Sequence, residues 1–550
     1  MNDPACWMAR IVPPLRSPVA TRTLLCLLLL AYWTISLRHL TVVPRVYEDE
    51  PWQASTGWKL ATEGVFGTDL FAGFFDMEDR YYGYMPVHPV LLAAVFRLAG
   101  LGLFQDRFEP VALGLLVLAL TYRLAHRLFG DTRVGLFAIL FLLLVRWTGL
   151  TPFRTSGIPF IDVVRISRYD PAVPVFGLAA LDVYLTAQRA RHARCYFAAG
   201  LLAALAGLAH VYGLFWMPVL LLLALHDRFL VRVRAGVHSR PFPALLPLLV
   251  GFLLPWLPYL AYVLADPVAW RGQTQFYGDR FDLANPRWYL DNLHLERERY
   301  PLGLGAWSDN LRRIGLWASL ALIPTSVAAL TWRGRRRGDR AAWAVALPAL
   351  VIPALLALLI RLKLPSYLAT ILPIWAIAAA WGALAFWTWL GRVRFRAAGR
   401  LALVVLLFAV VAEGGARWAA MEGHAAATTP YYRFIEQIGS HVPAGARVLG
   451  LHNYWLGMED TDYRSFAVPI FWTLPTNRPR PLPFYAGMDL IAPDVVLIDP
   501  GMRAYLAGDD DRAREVSASL WAWLDDHRAS LVGQVDDPTY GLIEIYRAVP

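Results

Sequence analysis

The 550-residue chain is 57% hydrophobic and only 17% charged, against about 45–50% and 25% for an ordinary soluble domain, which excludes a protein built around a soluble core alone. Its formal charge of +10 is carried by short Lys/Arg clusters set between apolar runs rather than on one continuous face, so the charge speaks of membrane topology and not of a nucleic-acid partner. The apolar runs, such as 243–264 and 368–390, approach the roughly 20 residues that cross a 30 Å hydrocarbon core.

The first run, 23–37, follows Arg10, Arg16 and Arg22, and no small-residue cleavage site comes after it. It is expected to be an uncleaved anchor whose basic end stays in the cytoplasm. The polar stretch 42–108 then lies outside, with a helix over 89–103 that is too short to cross comfortably and is expected to rest against the outer leaflet. If that helix crossed, the cluster Arg123, His126, Arg127 and Arg133 would be external; if it does not, that cluster, the group Arg189, Arg191 and Arg194, and the stretch 228–240 are all internal. The positive-inside rule selects the second arrangement.

Continuing, 152–170, 265–310 and 361–367 are expected outside, and 333–340 and 392–400 inside. A last span over 401–412 delivers the tail outside. The sum is an α-helical polytopic membrane protein of about eleven transmembrane helices, with its N-terminus cytoplasmic. Only the short loop holding Arg361 and Lys363 breaks the charge rule; it is either an anion site or a pair of cations snorkelling from a span end. None of the three cysteines, Cys6, Cys26 and Cys195, falls in a large polar loop or the tail, so no structural disulfide is expected.

From Tyr431 onward the pattern changes to short β-like runs at 446–451, 495–499 and 541–547, separated by helical stretches such as 517–527, with a Pro/Arg-rich loop at 475–483. This predicts a membrane domain over 1–420, including the external loop 42–108 with its juxtamembrane helices, and a small C-terminal α/β extracytoplasmic domain over 425–550. No internal repeat or low-complexity segment stands out.

The densest acidic feature, Glu48-Asp49-Glu50, lies just past the outer end of the first span. A carboxylate there could take a proton from an attacking hydroxyl or hold a divalent cation, and a solvated turn at a helix end would account for the same residues. Asp170, in Arg165-Ile-Ser-Arg168-Tyr-Asp170-Pro, opens another span on the same side, where capping and function are compatible. His88, between prolines, is a weaker candidate for metal or substrate contact. Outer-loop aromatics such as Trp52, Trp58, Phe74, Phe75, Tyr81, Tyr82 and Tyr84 suit a headgroup-level belt, with stacking on sugar rings as the functional alternative. The sequence carries no Walker loop, dinucleotide fingerprint, paired CxxC or GxSxG.

Taken in order, these features resemble the GT-C superfamily of membrane glycosyltransferases, especially the branch of protein O-mannosyltransferases and the lipid A aminoarabinose transferase. Asp49-Glu50 with Trp58-Lys-Leu-Ala-Thr-Glu-Gly64 resembles the acidic pair and small helix of the first external loop. Tyr84-Met-Pro-Val-His-Pro-Val-Leu resembles the start of the juxtamembrane helix, and Leu128-Phe-Gly130 the following cytoplasmic turn. Arg168-Tyr-Asp170 resembles the second-loop Arg-x-Asp pattern, and Lys363-Leu-Pro-Ser-Tyr367 with Pro373 the late external loop. The tail segments 438–450, 493–499 and 540–547 resemble the extracytoplasmic domain. His88-Pro89 stands where the family usually has a double proline, and Glu48 lengthens the acidic cluster by one.

The resemblance implies inverting transfer of a sugar from a polyprenyl-phosphate donor to an extracytoplasmic lipid, glycan or protein acceptor at a plasma (inner) membrane. It implies Asp49 as general base, with Glu50 and Asp170 positioning it. Lys363, then Arg361 and Arg168, would stabilise the leaving phosphate, with His88 and Tyr367 as substrate contacts. A divalent cation on Asp49 and Asp170 is left open. A lipid-linked sugar transporter or flippase, and a noncatalytic envelope-assembly protein, are the alternatives; the placement of the acids at the external rim rather than mid-membrane weighs against the first.

Overall fold

The computed structural model describes residues 18–146, 155–235, 244–278, 282–299, 313–392, 396–474 and 481–548. The N-terminal Arg10, Arg16 and Cys6, most of the 475–483 loop, and parts of the 152–170, 228–240, 265–310 and 392–400 segments lie outside them.

Among the described residues, seven helices are long and apolar enough to cross a membrane, including Pro18–Leu37, Leu103–Phe129, Ile314–Arg337, Arg340–Leu359 and Leu372–Leu390. Shorter apolar helices, Thr132–Leu144 and Ala193–Ala209 among them, stand with these. The chain is a multi-pass membrane protein. Its apolar interior is one continuous cluster, from Tyr32 through Val111, Leu178, Trp216 and Ile352 to Trp381. Many other apolar side chains face outward, as Leu249, Leu257, Leu401 and Phe408 do, which is how a lipid-facing surface differs from a water-facing one.

Several boundaries move from the sequence expectation. The run 243–264 breaks at Pro255 into Leu245–Leu253 and Trp256–Ala265, because proline lacks the N–H its helix would need. The short helix predicted over 89–103 runs from Val87 to Ala99, ended by Gly100 at φ 78°, and Leu103 already belongs to the next helix. The helix predicted to span 401–412 extends over Arg396–Ala427. The stretch after the Trp256–Ala265 helix contains two further helices, Pro267–Gly278 and Pro286–Leu295, and a single turn, Glu296–Arg299.

The C-terminal α/β unit carries a five-stranded sheet in the order β2-β1-β3-β5-β4. These strands are β1 Arg447–Gly450, β2 Asp462–Ser465, β3 Val495–Ile498, β4 Ser530–Asp537 and β5 Gly541–Arg547. The first three pair in parallel and the last two antiparallel. Because successive strand residues face opposite ways, β3 sends Val496 and Ile498 to one cluster with Val516, Leu520 and Trp523 of the Asp511–Asp526 helix. It sends Val495 and Leu497 to the other face, where they join Phe434 and Ile438 and, in the same cluster, Ala54, Phe71, Phe74 and Phe96 from the polar region after the first helix. The Trp472 indole donates to the Gly73 carbonyl (2.9 Å), and the Tyr432 hydroxyl accepts the Leu103 N–H (2.7 Å). One apolar core therefore ties this unit to the 42–108 region.

Candidate active site

The segment between the first helix and Asp49 is held by two buried arginines. Arg107 donates to the carbonyls of Leu40 and Pro44 at 2.7 and 2.8 Å. Arg165 donates to those of Ser36 and Val43 at 2.6 and 2.7 Å. Arg107 also grips Glu50 with both arms of its fork, Nε to Oε1 and Nη2 to Oε2, each at 2.8 Å. The Tyr47 and Ser167 N–H groups complete the Glu50 carboxylate. Glu50 is 0% exposed, and both of its carboxylate oxygens accept from these donors. It anchors the start of the helix Asp49–Thr62, and Asp49, one residue before it, is thereby set at the rim.

Asp49 is only partly buried. Its Oδ1 accepts from the Tyr84 hydroxyl at 3.2 Å, and its Oδ2 accepts from Arg168 Nη1 at 2.5 Å. Arg168 turns its Nε to Asp170 Oδ2 at 2.8 Å and its Nη2 to the Tyr169 hydroxyl at 2.9 Å. Asp170 Oδ1 accepts from the Tyr212 hydroxyl at 2.6 Å. One guanidinium thus stands between two carboxylates, all close to the Ala172–Ala190 helix. Burial raises the Asp49 pKa above the ordinary carboxylate value, with Arg168 and the Tyr84 hydroxyl opposing it.

Aromatic rings wall this group. Tyr169 stacks on His210 at 4.1 Å between centroids, and Tyr367 lies 5.6 Å from His210 and 4.9 Å from Tyr212. His210 sits at the joint after the Ala193–Ala209 helix, where its Nδ1 accepts the Tyr212 N–H. Burial first, and Arg168 second, hold its pKa well below the usual histidine value, so the imidazole is neutral at physiological pH.

Of the residues singled out in the sequence, Asp49, Arg168, Asp170 and Tyr367 come together here. Lys363 lies four residues before Tyr367, in the loop ahead of the Pro365–Thr370 helix, and pairs with Glu296 at 3.0 Å, its side chain 3% exposed. Arg361 is exposed, and no ion pair holds it among the described residues. His88 is fully buried against Glu109, Nδ1 to Oε1 at 3.4 Å, and no hydrogen bond or ion pair links it to Asp49, Arg168 or Asp170 among the described residues. The sequence reading missed Arg107, Arg165, His210 and Tyr212. Arg107 had a signal, since Asp106, Arg107 and Glu109 crowd three charges into the start of an apolar helix.

A cation shared by Asp49 and Asp170 does not fit this arrangement, because the Arg168 guanidinium already occupies the space between them and neutralises one of their charges. Among the described residues no group of three or more His, Cys, Asp and Glu side chains converges as a metal site.

No protein-family model matches the sequence, and no curated protein matches it either. Solved structures do match in fold. ArnT from Cupriavidus metallidurans bound to undecaprenyl phosphate superimposes with a TM-score of 0.60 at 16% identity, covering 97% of this chain and 99% of its own. The Archaeoglobus fulgidus oligosaccharyltransferase in the apo form gives 0.54 at 14% identity, covering 87% and 70%. The chain has the GT-C fold. The oligosaccharyltransferase AglB from Archaeoglobus fulgidus, in complex with an inhibitory peptide and a dolichol-phosphate, matches at 0.51 and 12% identity over 94% of this chain and 74% of its own. In the GT-C fold of this chain, the Asp49–Arg168–Asp170 group and its aromatic wall lie where the 42–108 region meets the ends of the Ala172–Ala190 and Ala193–Ala209 helices.

Proposed function

We propose that the protein is a membrane glycosyltransferase that moves a sugar from a polyprenyl-phosphate donor to an extracytoplasmic acceptor, with Asp49 as general base. The observation that carries this reading is the difference between carboxylates. Glu50 and Asp170 are fully buried, whereas the Asp49 side chain is 17% exposed at the rim, aimed and charge-balanced by Arg168. The raised Asp49 pKa brings its basicity toward that of the hydroxyl proton it must accept. The fold shared with ArnT bound to undecaprenyl phosphate and with AglB bound to a dolichol-phosphate supports a lipid-phosphate donor.

In the reaction, an acceptor hydroxyl oxygen attacks the anomeric carbon and gives its proton to Asp49. The bond from that carbon to the phosphate oxygen breaks, and the electron pair leaves with the polyprenyl phosphate. Attack opposite the leaving group inverts the anomeric centre. Arg168 keeps the Asp49 carboxylate oriented, Glu50 fixes the helix that bears it, and Lys363 meets the charge that grows on the phosphate. The Tyr169, Tyr212 and Tyr367 rings, packed on one another and on His210, form a buried aromatic wall beside this group. The 42–108 region and the C-terminal unit are taken as extracytoplasmic, in agreement with the positions of the basic clusters.

The test is sugar transfer from radiolabelled polyprenyl-phosphate donors by the purified full-length protein, with membrane extract as acceptor. Wild type is expected to turn over and Asp49→Asn to keep only a small residue of that activity, on the order of 10²–10⁴-fold less. Undiminished turnover in a well-folded Asp49→Asn protein would remove the base, and a folded wild type inactive with every donor would remove the transferase reading.

A further inference from the structure

Lys363 and Arg299 are two buried cations that share a single carboxylate. Lys363 Nζ lies 3.0 Å from Glu296 Oε2. Arg299 holds the same group with Nε on Oε1 at 2.7 Å and Nη2 on Oε2 at 3.2 Å. Their remaining bonds go to main-chain carbonyls near the end of the Arg340–Leu359 helix: Lys363 to Ala357 at 2.8 Å, Arg299 to Leu364 at 2.9 Å. Side-chain exposure is 3% for Lys363, 0% for Arg299 and 14% for Glu296. The other nearby charges, Arg297, Glu298 and Arg361, are exposed, so solvent screens them. Two positive charges against one negative leave an excess of one positive charge in a buried setting.

We propose that this is the phosphate site of the donor, with Arg299 as its second cation, and that Glu296 is an exchangeable counterion which the lipid phosphate displaces. This rests on the glycosyltransferase reading above. The two cations stay where they are because the carbonyl end of a helix favours positive charge. The arginine fork that now spans both Glu296 oxygens matches two oxygens of a phosphate equally well, and a phosphate brings a fuller charge to the pair. Glu296 is the group that leaves because its side chain is the most exposed of the three, whereas Arg299, on the same turn, and Lys363 are also held by main-chain carbonyls. Four residues after Lys363 along the chain comes Tyr367, whose ring lies 4.9 Å from that of Tyr212, the residue that donates to Asp170.

The experiment is equilibrium binding of undecaprenyl phosphate, undecaprenol and inorganic phosphate to the purified full-length protein. Wild type is compared with Glu296→Gln, Glu296→Asp, Lys363→Ala and the Glu296→Gln/Lys363→Ala double variant, with melting temperature as the check on folding. Removing the competing carboxylate is expected to tighten undecaprenyl phosphate binding about tenfold, the change that corresponds to 1.4 kcal/mol, and Glu296→Asp, with its shorter reach, to tighten it less. The double variant is expected to lose the gain, and undecaprenol to respond to none of the changes. A parallel gain for inorganic phosphate assigns the effect to the phosphate group itself; a gain for lipid phosphate alone assigns it to the lipid-linked headgroup. Unchanged or weaker binding in both Glu296 variants, or an equal gain for undecaprenol, would overturn the counterion role. If wild type does not prefer undecaprenyl phosphate to undecaprenol, the donor reading falls, whereas the anion site survives if Glu296→Gln still gains affinity for inorganic phosphate.

Discussion

Two three-charge groups of the molecule have opposite composition. In one, Arg168 stands between Asp49 and Asp170, two carboxylates to one cation. In the other, Glu296 stands between Lys363 and Arg299, two cations to one carboxylate. The first carries an excess negative charge and includes a partly exposed carboxylate, the proposed base. The second carries an excess positive charge and suits an anion. A glycosyl transfer from a lipid phosphate needs both ends, a proton acceptor for the nucleophile and a cation for the leaving group, and it needs them apart so that they do not neutralise each other. Arg168, a phosphate candidate from sequence, is committed to the first group.

The sharpest way to break this division is Asp49→Asn. If Asp49 only accepts the proton, kcat falls on the order of 10²–10⁴-fold while the KM for donor stays put; steady-state transfer kinetics read both.

That prediction concerns a residue visible in the sequence, and the reason others were not is physical. Asp49, Arg168, Asp170 and Tyr367 sit in short motifs where charge or an aromatic interrupts an apolar run, so local pattern exposes them. Glu50 looks identical to Asp49 in sequence, and only the approach of Arg107, 57 residues away, turns it into an anchor. Glu296 and Arg299 appear as two charges in a polar loop, and their meaning comes from Lys363 and the Leu364 carbonyl more than 60 residues on. His210 and Tyr212 fall between apolar runs and gain significance from ring contacts with Tyr169 and Tyr367. The helical plan was legible because the period and length of apolar runs are set by the bilayer. In the sheet, β1, β3 and β5 were legible as apolar runs, while β2, Asp-Tyr-Arg-Ser, was not, since two of its four residues are charged and its pairing with β1 makes it a strand.

Next in size is Glu50→Ala. It leaves Arg107 buried without its carboxylate, a loss of about 3–5 kcal/mol, seen as a lowered melting temperature; an effect on rate with no loss of stability would instead make Glu50 part of the chemistry. Lys363→Ala tests the other group and is expected to weaken donor binding by about 1.5–3 kcal/mol, the value of a hydrogen bond to a charged group, with kcat less affected.

The pH profile tests both groups at once. As the proposed base Asp49 works ionised, and burial raises its pKa, so activity is expected to be lost as pH falls through a value above the ordinary 3.9 or so. As the proposed phosphate ligand Lys363 works protonated, and burial lowers its pKa, with Glu296 opposing, so activity is expected to be lost as pH rises through a value below the ordinary 10.4 or so. The bell is therefore narrower on both sides than for unperturbed groups, and residual Asp49→Asn activity should lack the acidic limb. The smallest effect is expected from Arg361→Ala: an exposed cation with no ion pair among the described residues should change donor affinity by no more than about 0.5 kcal/mol, and a loss matching that of Lys363→Ala would move the phosphate to the surface.

The most direct measurement is equilibrium binding of undecaprenyl phosphate to Asp49→Asn and Lys363→Ala, each compared with wild type. The division of charge predicts that Asp49→Asn binds the lipid as wild type does although its sugar transfer is largely lost, and that Lys363→Ala binds it weakly. Loss of binding in Asp49→Asn with full binding in Lys363→Ala would contradict the assignment of base and phosphate to separate groups.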